Sequence, residues 1–552
     1  MAESSLSYEQ VFEKRSGLVR SISLVGAAVM GIHCISLSSS GFIPFSWIAS
    51  VWPGANIIGV LSLAAVCSLF IAFSYAAIGA MVPVDGADYV LTSRVFHPLI
   101  GFITSWALLI ASGFVAGGLV AWIPKSALPA LLQPMATIFH DPNFAQWASQ
   151  CSSTTGSIAI GTICVVFVWA SMLMDKNHLL KFMSFGLVLG ILAWIIIYAS
   201  FLWPSVPGPH AFQDAWNRVM GNSPFGSFED RLRLAHMAGM TASTSTLQMT
   251  IAGLVMGYWV FYGYAIPTFF AGEVRKASKG KTLLIASSAS IIVAWAIFSF
   301  GAFLLLKVRN VPTEWVAAEG YIANNPDRVL QAAGTHVDGF PWITFYAAIL
   351  RPSFPLVLIT AFSWVYTLIN LVQTYFFYAS RIIFAWSIDG VIPRFFSRVN
   401  PRTKNPVHCI WPIALLAEIG VLDAAKGGPL GAQMSFILFA VITQLVTVVA
   451  LACFPYRRPD LFRLAPTFFG SRIGPFPLVT LSGLCSTVYL VWVIVAIAMN
   501  PDTVAISNLW ITLGVFLVTA SAGATIFLIA GRLRKAHHGI EPGGFNQNLP
   551  FQ

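Results

Sequence analysis

Two short runs place polar chemistry inside otherwise apolar sequence. The first is Ser36-Leu37-Ser38-Ser39-Ser40-Gly41, with Pro44 just beyond it; the second is Phe261-Tyr262-Gly263-Tyr264-Ala265-Ile266-Pro267. Glycine and proline interrupt a helical ladder. An interrupted helix presents free N–H groups at one end and free carbonyls at the other, and these bind a carboxylate or an amine without any buried side-chain charge. The candidate ligands are Ser36, Ser38, Ser39, Ser40 and Gly41 in the first run. In the second they are Phe261, Tyr262, Gly263 and Tyr264, whose rings could wall a small solute, and Trp106 is a further candidate wall. The plain alternative is packing, because Gly, Pro and Ser are common where membrane helices touch.

Ionisable groups are sparse in the apolar runs. His33 lies three residues before the serine-rich run, and Glu418 lies deep in another apolar stretch. Both are costly in hydrocarbon and therefore suspect of function, although each could equally be a satisfied packing residue. Asp85, Asp88, Arg94, Glu273, Arg381 and Asp389 fall at helix ends, where they could form an ion-pair gate or serve only as anchors. Walker loops, His-Glu-x-x-His motifs and nucleophile–base sets are missing from the sequence. The expectation is no enzyme, no metal and no cofactor.

The elements that must position these residues follow from composition. Of 552 residues, 57% are hydrophobic and only 9% charged, with a mean hydropathy of +0.77. Apolar runs of about 20 residues are long enough to cross the hydrocarbon layer as helices. Twelve spans are expected, at 22–43, 56–81, 99–122, 157–174, 179–203, 247–270, 282–306, 354–377, 407–421, 434–454, 478–499 and 509–529. Alternating loops then put 22 of the 31 Lys and Arg on the side that holds both termini, which makes that side cytoplasmic by the positive-inside rule. The net charge of +10 thus marks topology rather than nucleic-acid binding. Six of the seven cysteines fall within spans, so no structural disulfide is expected.

Residues 1–20 are expected to form a cytoplasmic segment, 21–535 the membrane domain and 536–552 a disordered cytoplasmic tail. Outer loops 123–156, 204–246 and 307–353 are rich in Pro, Gly and Trp and are expected to form short interfacial helices. The interrupted spans 1 and 6 are five apart, the spacing that points to two inverted five-helix halves, about 21–203 and 247–454.

Three segments carry a family likeness. After span 2 come Pro83, Gly86-Ala87-Asp88-Tyr89, Arg94, His97-Pro98, Gly101-Phe102 and Ser105-Trp106; after span 8 come Ser380-Arg381, Asp389-Gly390, Pro393 and Pro406; span 6 runs from Trp259 to an acid at Glu273. In this order they resemble the amino acid–polyamine–organocation permease superfamily, although Ala87, His97 and Ser105 stand where that family has glycines. The resemblance implies an all-α polytopic membrane protein of the leucine-transporter type, with a 5+5 inverted repeat and two peripheral helices. It places a substrate between broken spans 1 and 6, flanked by spans 3, 8 and 10. Proton-coupled members often carry a lysine in mid-span 5. Here 182–203 holds no ionisable side chain except Tyr198, and His33 would take the coupling role, with Ser363 or Thr367 of span 8 as the opposite wall.

The function expected is a secondary transporter in a cell membrane for zwitterionic amino acids with neutral side chains, coupled to a proton or sodium ion. Carriage of polyamines, organic amines or other solutes is the alternative, as is exchange or sensing on the same scaffold. A polyamine site should hold carboxylates within spans 1, 3, 6, 8 or 10, and their interiors hold none.

Overall fold

The computed structural model describes residues 16–39, 43–241, 245–279, 281–428, 430–431, 433–463, 465–501, 506 and 508–538. Ser40 and Gly41 of the first candidate run lie outside them. The spans begin where the sequence offers a side chain to cap free N–H groups. Asn56 accepts from the Gly59 amide, Ser153 from Gly156, Asp175 from Asn177 and Ser435 from Leu438. Ten helices are long and apolar enough to cross a membrane, and the bent pair Thr246–Val260 and Tyr262–Phe269 makes an eleventh. Span 1 is present in two pieces, Leu24–Ile35 and the outer stretch Pro44–Ile48 and Ala49–Val51.

Several spans run past their expected ends. Span 3 continues without a break through Pro98–Phe139, span 8 covers Phe354–Ile388 and span 9 covers Val407–Ala425. Hydropathy marks only the part of a helix that meets lipid, whereas a helix supported by protein continues into the interface. The outer loops do fold into short helices, among them Ala211–Met220, Phe228–Met237 and Thr313–Asn324. They enclose an aromatic core in which Trp216 and Trp315 are fully buried, and Arg231 forms a two-pronged bond to Glu319.

Because lipid is as apolar as the spans, helices associate through close backbone approach rather than through hydrophobic burial. At Gly117 of span 3 an added Cβ would lie 1.9 Å from the Ala417 carbonyl oxygen of span 9, and at Gly420 it would lie 2.2 Å from that of Phe114. At Gly186 of span 5 it would lie 1.9 Å from Asn370 Oδ1 of span 8. Glu418 of span 9 accepts a bond of 2.6 Å from Thr162, so it packs against span 4 and stays clear of the interrupted spans.

Gly117→Ala is therefore expected to force spans 3 and 9 apart at a cost of about 1–3 kcal/mol, and to lower the thermal unfolding midpoint of the detergent-solubilised protein. Gly118→Ala is the control, since an added Cβ there meets nothing within 4 Å. Equal midpoints for the two variants would show that the contact is slack.

Candidate functional site

Spans 1 and 6 interrupt opposite one another. The helix Leu24–Ile35 stops at Ser36, whose φ of 58° is left-handed, a conformation that a non-glycine residue adopts only where surrounding structure enforces it. The Trp194 indole enforces it in part, donating to the Leu37 carbonyl at 2.8 Å. Span 6 ends its first helix at Phe261, passes through a tight turn at Tyr262–Ala265 and resumes at Ile266–Phe269, bent by 45°. The two backbones touch where they cross: a Cβ on Gly263 would stand 2.1 Å from the Gly31 carbonyl oxygen.

The hydroxyl of Ser36 is fully buried and makes no hydrogen bond. Ser38 reaches across to Ser363 of span 8 at 2.9 Å, and Ser39 is buried in the turn beyond. Thr367 donates to the Trp364 carbonyl within its own helix. His33 is buried, with Nε2 2.6 Å from the Met183 carbonyl oxygen of span 5. Spans 1, 5 and 8 thus meet directly behind the interruption.

Tyr262 and Tyr264 belong to a larger layer of buried phenols. Tyr264 and Tyr258 both donate to Gln444 Oε1 of span 10, at 2.8 and 2.9 Å. Tyr378 of span 8 donates to Ser112 of span 3 at 2.7 Å. The hydroxyls of Tyr262 and Tyr75 and the amide nitrogen of Gln444 make no hydrogen bond. Such orphaned polar atoms in a buried site are costly unless a ligand or water completes them.

On the outer side of this layer lies a cavity of about 380 Å³, within the range of small-molecule sites. Trp47, Phe114, Trp122, Met256, Trp259 and Phe436 line it. Phe436 forms the floor, with ring centroids 5.2 Å from Tyr262 and 5.5 Å from Tyr375. Asp423 also borders the cavity, but its carboxylate is held by the Leu430 and Gly431 amides at 2.9 and 2.8 Å.

The inner side, the one with the basic loops, is sealed. Ile22 and Val274 pair as a short bridge, with Ile22 N–H to the Glu273 carbonyl at 3.0 Å. Arg20 donates to the carbonyls of Pro83, Ala271 and Val274 at 2.8 to 3.2 Å. Glu273 is fully buried between Arg381, at 2.6 Å, and Lys176. Arg381 also lies over the Phe377 ring at 3.7 Å. Arg94 grips Asp389 with two bonds of 2.7 and 2.9 Å. Burial alone would raise the Glu273 carboxyl, but the Arg381 and Lys176 charges outweigh it and hold the group down to about 2.

Four of the expected gate residues therefore form two buried ion pairs, and Asp85 lies beside the Glu273 group. Trp106 is not brought to the interruptions. Its ring stacks on Phe102 and Trp386, and Gly523 of the last span packs against it. The sequence reading missed Lys176, Tyr75, Tyr258, Tyr375, Tyr378 and Gln444. The Tyr375/Tyr378 spacing of three places that pair on one helix face, a signal the sequence did contain. Asp88, expected as an anchor at a helix end, is carried inward against the phenol layer and is 1% exposed.

A family described as amino acid permease matches residues 17–521. Among curated proteins, cationic amino acid transporter 4 of Mus musculus is 23% identical over 407 residues, covering 73% of this chain and 55% of the mouse protein. The chain thus spans about half the length of that relative. The branched-chain amino acid permease of Lactococcus lactis subsp. cremoris (strain MG1363) is 21% identical over 504 residues, or 89% of this chain and 92% of the permease. The methylthioribose transporter of Bacillus subtilis (strain 168) is 21% identical over 455 residues, or 80% of each chain.

Removing one partner of a buried ion pair leaves the other uncompensated, at about 3–5 kcal/mol. Arg381→Gln is thus expected to loosen the inner closure, so that a cysteine introduced at Ala271 reacts several-fold faster with a polar thiol reagent. Unchanged labelling would mean that the backbone bridge alone maintains the seal. The Glu273 carboxyl lies below its ordinary value, so its contribution is full at neutral pH and lost only as pH falls towards about 2. Labelling of that cysteine in the Asp88→Asn background, corrected for the reagent's own pH response, should be flat between pH 5.5 and 8.

Proposed function

The chain belongs to the amino acid permease family, and on that premise we propose that it carries zwitterionic amino acids with neutral side chains across a cell membrane by alternating access. Family membership implies the leucine-transporter type of fold, with the solute held between broken spans 1 and 6. The observation that supports the reading most is the buried Ser36 hydroxyl, unbonded at the crossing of the two interruptions. The candidate contacts for the solute's carboxylate are this hydroxyl and the serine-run amides. The unbonded Tyr262 hydroxyl is the candidate polar contact across from them, and Phe261 and Tyr264 are candidate walls. The aromatic cavity outside Phe436 suits an apolar or aromatic side chain on its way in. The excess of Lys and Arg on the side that holds both termini supports a cytoplasmic location for them.

A buried hydrogen bond to a charged group contributes about 1.5–3 kcal/mol. Ser36→Ala should therefore raise the KM for a transported amino acid by about tenfold or more in proteoliposomes, with protein yield unchanged. Tyr262→Phe should weaken affinity, while Tyr262→Ala should also reorder preference among amino acids. A thermal-shift screen of the purified protein against amino acids, amines and methylthioribose tests the substrate class, because ligands of the folded state raise its apparent stability. Stabilisation by polyamines or methylthioribose alone would refute the amino acid reading.

Ion coupling is proposed for the junction of spans 1, 5 and 8. His33→Gln retains a donor for the Met183 carbonyl while removing the imidazole and its capacity to take up a proton. If pH-driven accumulation survives this change, or if uptake needs sodium and ignores pH, coupling rests on Ser38, Ser363 and Thr367 and not on His33.

A further inference from the structure

Asp88 begins the short inner helix Ala87–Val95, which packs against spans 3 and 10. Gly86, with φ of 81°, turns the chain here, and a Cβ at that position would stand 2.5 Å from Ala385 of span 8. The turn drives Asp88 inward instead of leaving it in the inner loop. Its side chain is 1% exposed and neither carboxylate oxygen makes a hydrogen bond. The titratable groups that face it are all phenols: Tyr75 on span 2, Tyr258 and Tyr264 on span 6, and Tyr378 on span 8. Span 10 brings Thr443, Gln444 and Thr447. On its own helix Arg94 is committed to Asp389, and Arg381, one turn beyond Tyr378, is committed to Glu273.

Asp85, three residues earlier, is also buried without a hydrogen bond; burial and the neighbouring Glu273 charge push its carboxyl well up, with the Arg381 and Lys176 charges working against the shift. Asp88 has no cation of that kind. An ionised carboxylate buried without a cation costs several kcal/mol; the Tyr75 hydroxyl can donate to it, but it can equally accept from the O–H of a neutral carboxyl.

We propose that Asp88 is a proton-binding site: its carboxyl holds a proton while the inner end is closed and gives it up to water when that closure opens. On release the O–H bond breaks, the proton passes to water and the carboxylate keeps the electron pair. The closed state favours this loading, since burial pushes the Asp88 carboxyl up to about 7, with the Tyr75 hydroxyl working against the shift. The raised value fixes the sign. Closure is favoured most near the ordinary carboxyl value, the closed-to-open ratio falls about tenfold per pH unit from there up to about 7, and above about 7 it levels off. Glu273 cannot produce this dependence, because it stays ionised down to about 2. The release step rests on the alternating-access reading; the loading step does not.

Both steps are testable on the full chain in lipid nanodiscs without any solute. Infrared titration of the wild type should show a protonated-carboxyl component that disappears with a midpoint near 7; that component should be lost in Asp88→Asn and kept in Asp85→Asn, whatever band Asp85 itself contributes. If Asp88→Asn fails to fold, Asp88→Glu should shift the component's frequency. A component unaffected by change at Asp88, or no such component, overturns the proposal. Hydrogen exchange over residues 80–95 and 266–275, corrected for intrinsic rate, should quicken from pH 6 to 8 in wild type and stay level in Asp88→Asn. A titrating band with level exchange in wild type would overturn release on opening. Failure of the alternating-access reading would show separately, as absence of amino acid uptake with the infrared titration intact.

Discussion

The contact between the Gly31 carbonyl and Gly263 is the constraint from which the site follows. The backbones approach so closely that a Cβ on Gly263 would stand 2.1 Å from the Gly31 carbonyl oxygen, and one on Gly31 would lie 3.2 Å from the Gly263 carbonyl oxygen. On either side of this contact both spans leave the regular helix. Ser36 takes a left-handed conformation on one side, and Phe261 to Ala265 form a tight turn on the other. Residues from other spans hold those irregular stretches: the Trp194 indole on Leu37, Ser363 on Ser38 and Gln444 on two phenols. The interruption is thus a shared property of spans 1, 5, 6, 8 and 10.

The two ends of this crossing differ in what binds them. Inward, charges and backbone hydrogen bonds are stacked in series: Arg20 on three carbonyls, Glu273 between Lys176 and Arg381, Arg94 on Asp389. Outward, only aromatic contact separates the phenol layer from the cavity, chiefly Phe436 against Tyr262 and Tyr375. Aromatic pairs contribute about 0.5–1.5 kcal/mol beyond their buried area, less than a buried ion pair loses when broken. In this arrangement the outer barrier is the cheaper to open.

The sequence disclosed the elements well and their facing poorly. Composition and run length predicted a membrane bundle, and the serine run and the Tyr-Gly-Tyr run both interrupt helices where expected. Arg94, Glu273, Arg381 and Asp389 were legible as ion-pair candidates at the span ends, and they do pair. Trp106 was misplaced because a membrane helix is apolar around its whole circumference, so hydropathy does not separate the face towards a site from the face towards a peripheral helix. Lys176 looked like an ordinary start of span 5, and only the fold shows it reaching Glu273. Asp88 was obscured by its position in a loop, since nothing in the local sequence says that the Gly86 turn aims it inward.

The outer cap has a mechanical consequence. Its helix Thr313–Asn324 lies on the outer piece of span 1: a Cβ on Gly320 would stand 2.6 Å from the Ser46 carbonyl oxygen, and Asn324 donates to that carbonyl and to the Ser50 hydroxyl. The cap is itself stiffened by the Arg231–Glu319 bond and by packed indoles. The short outer piece of span 1 is therefore seated on a stiff bracket, and a shift of the cap carries that piece with it.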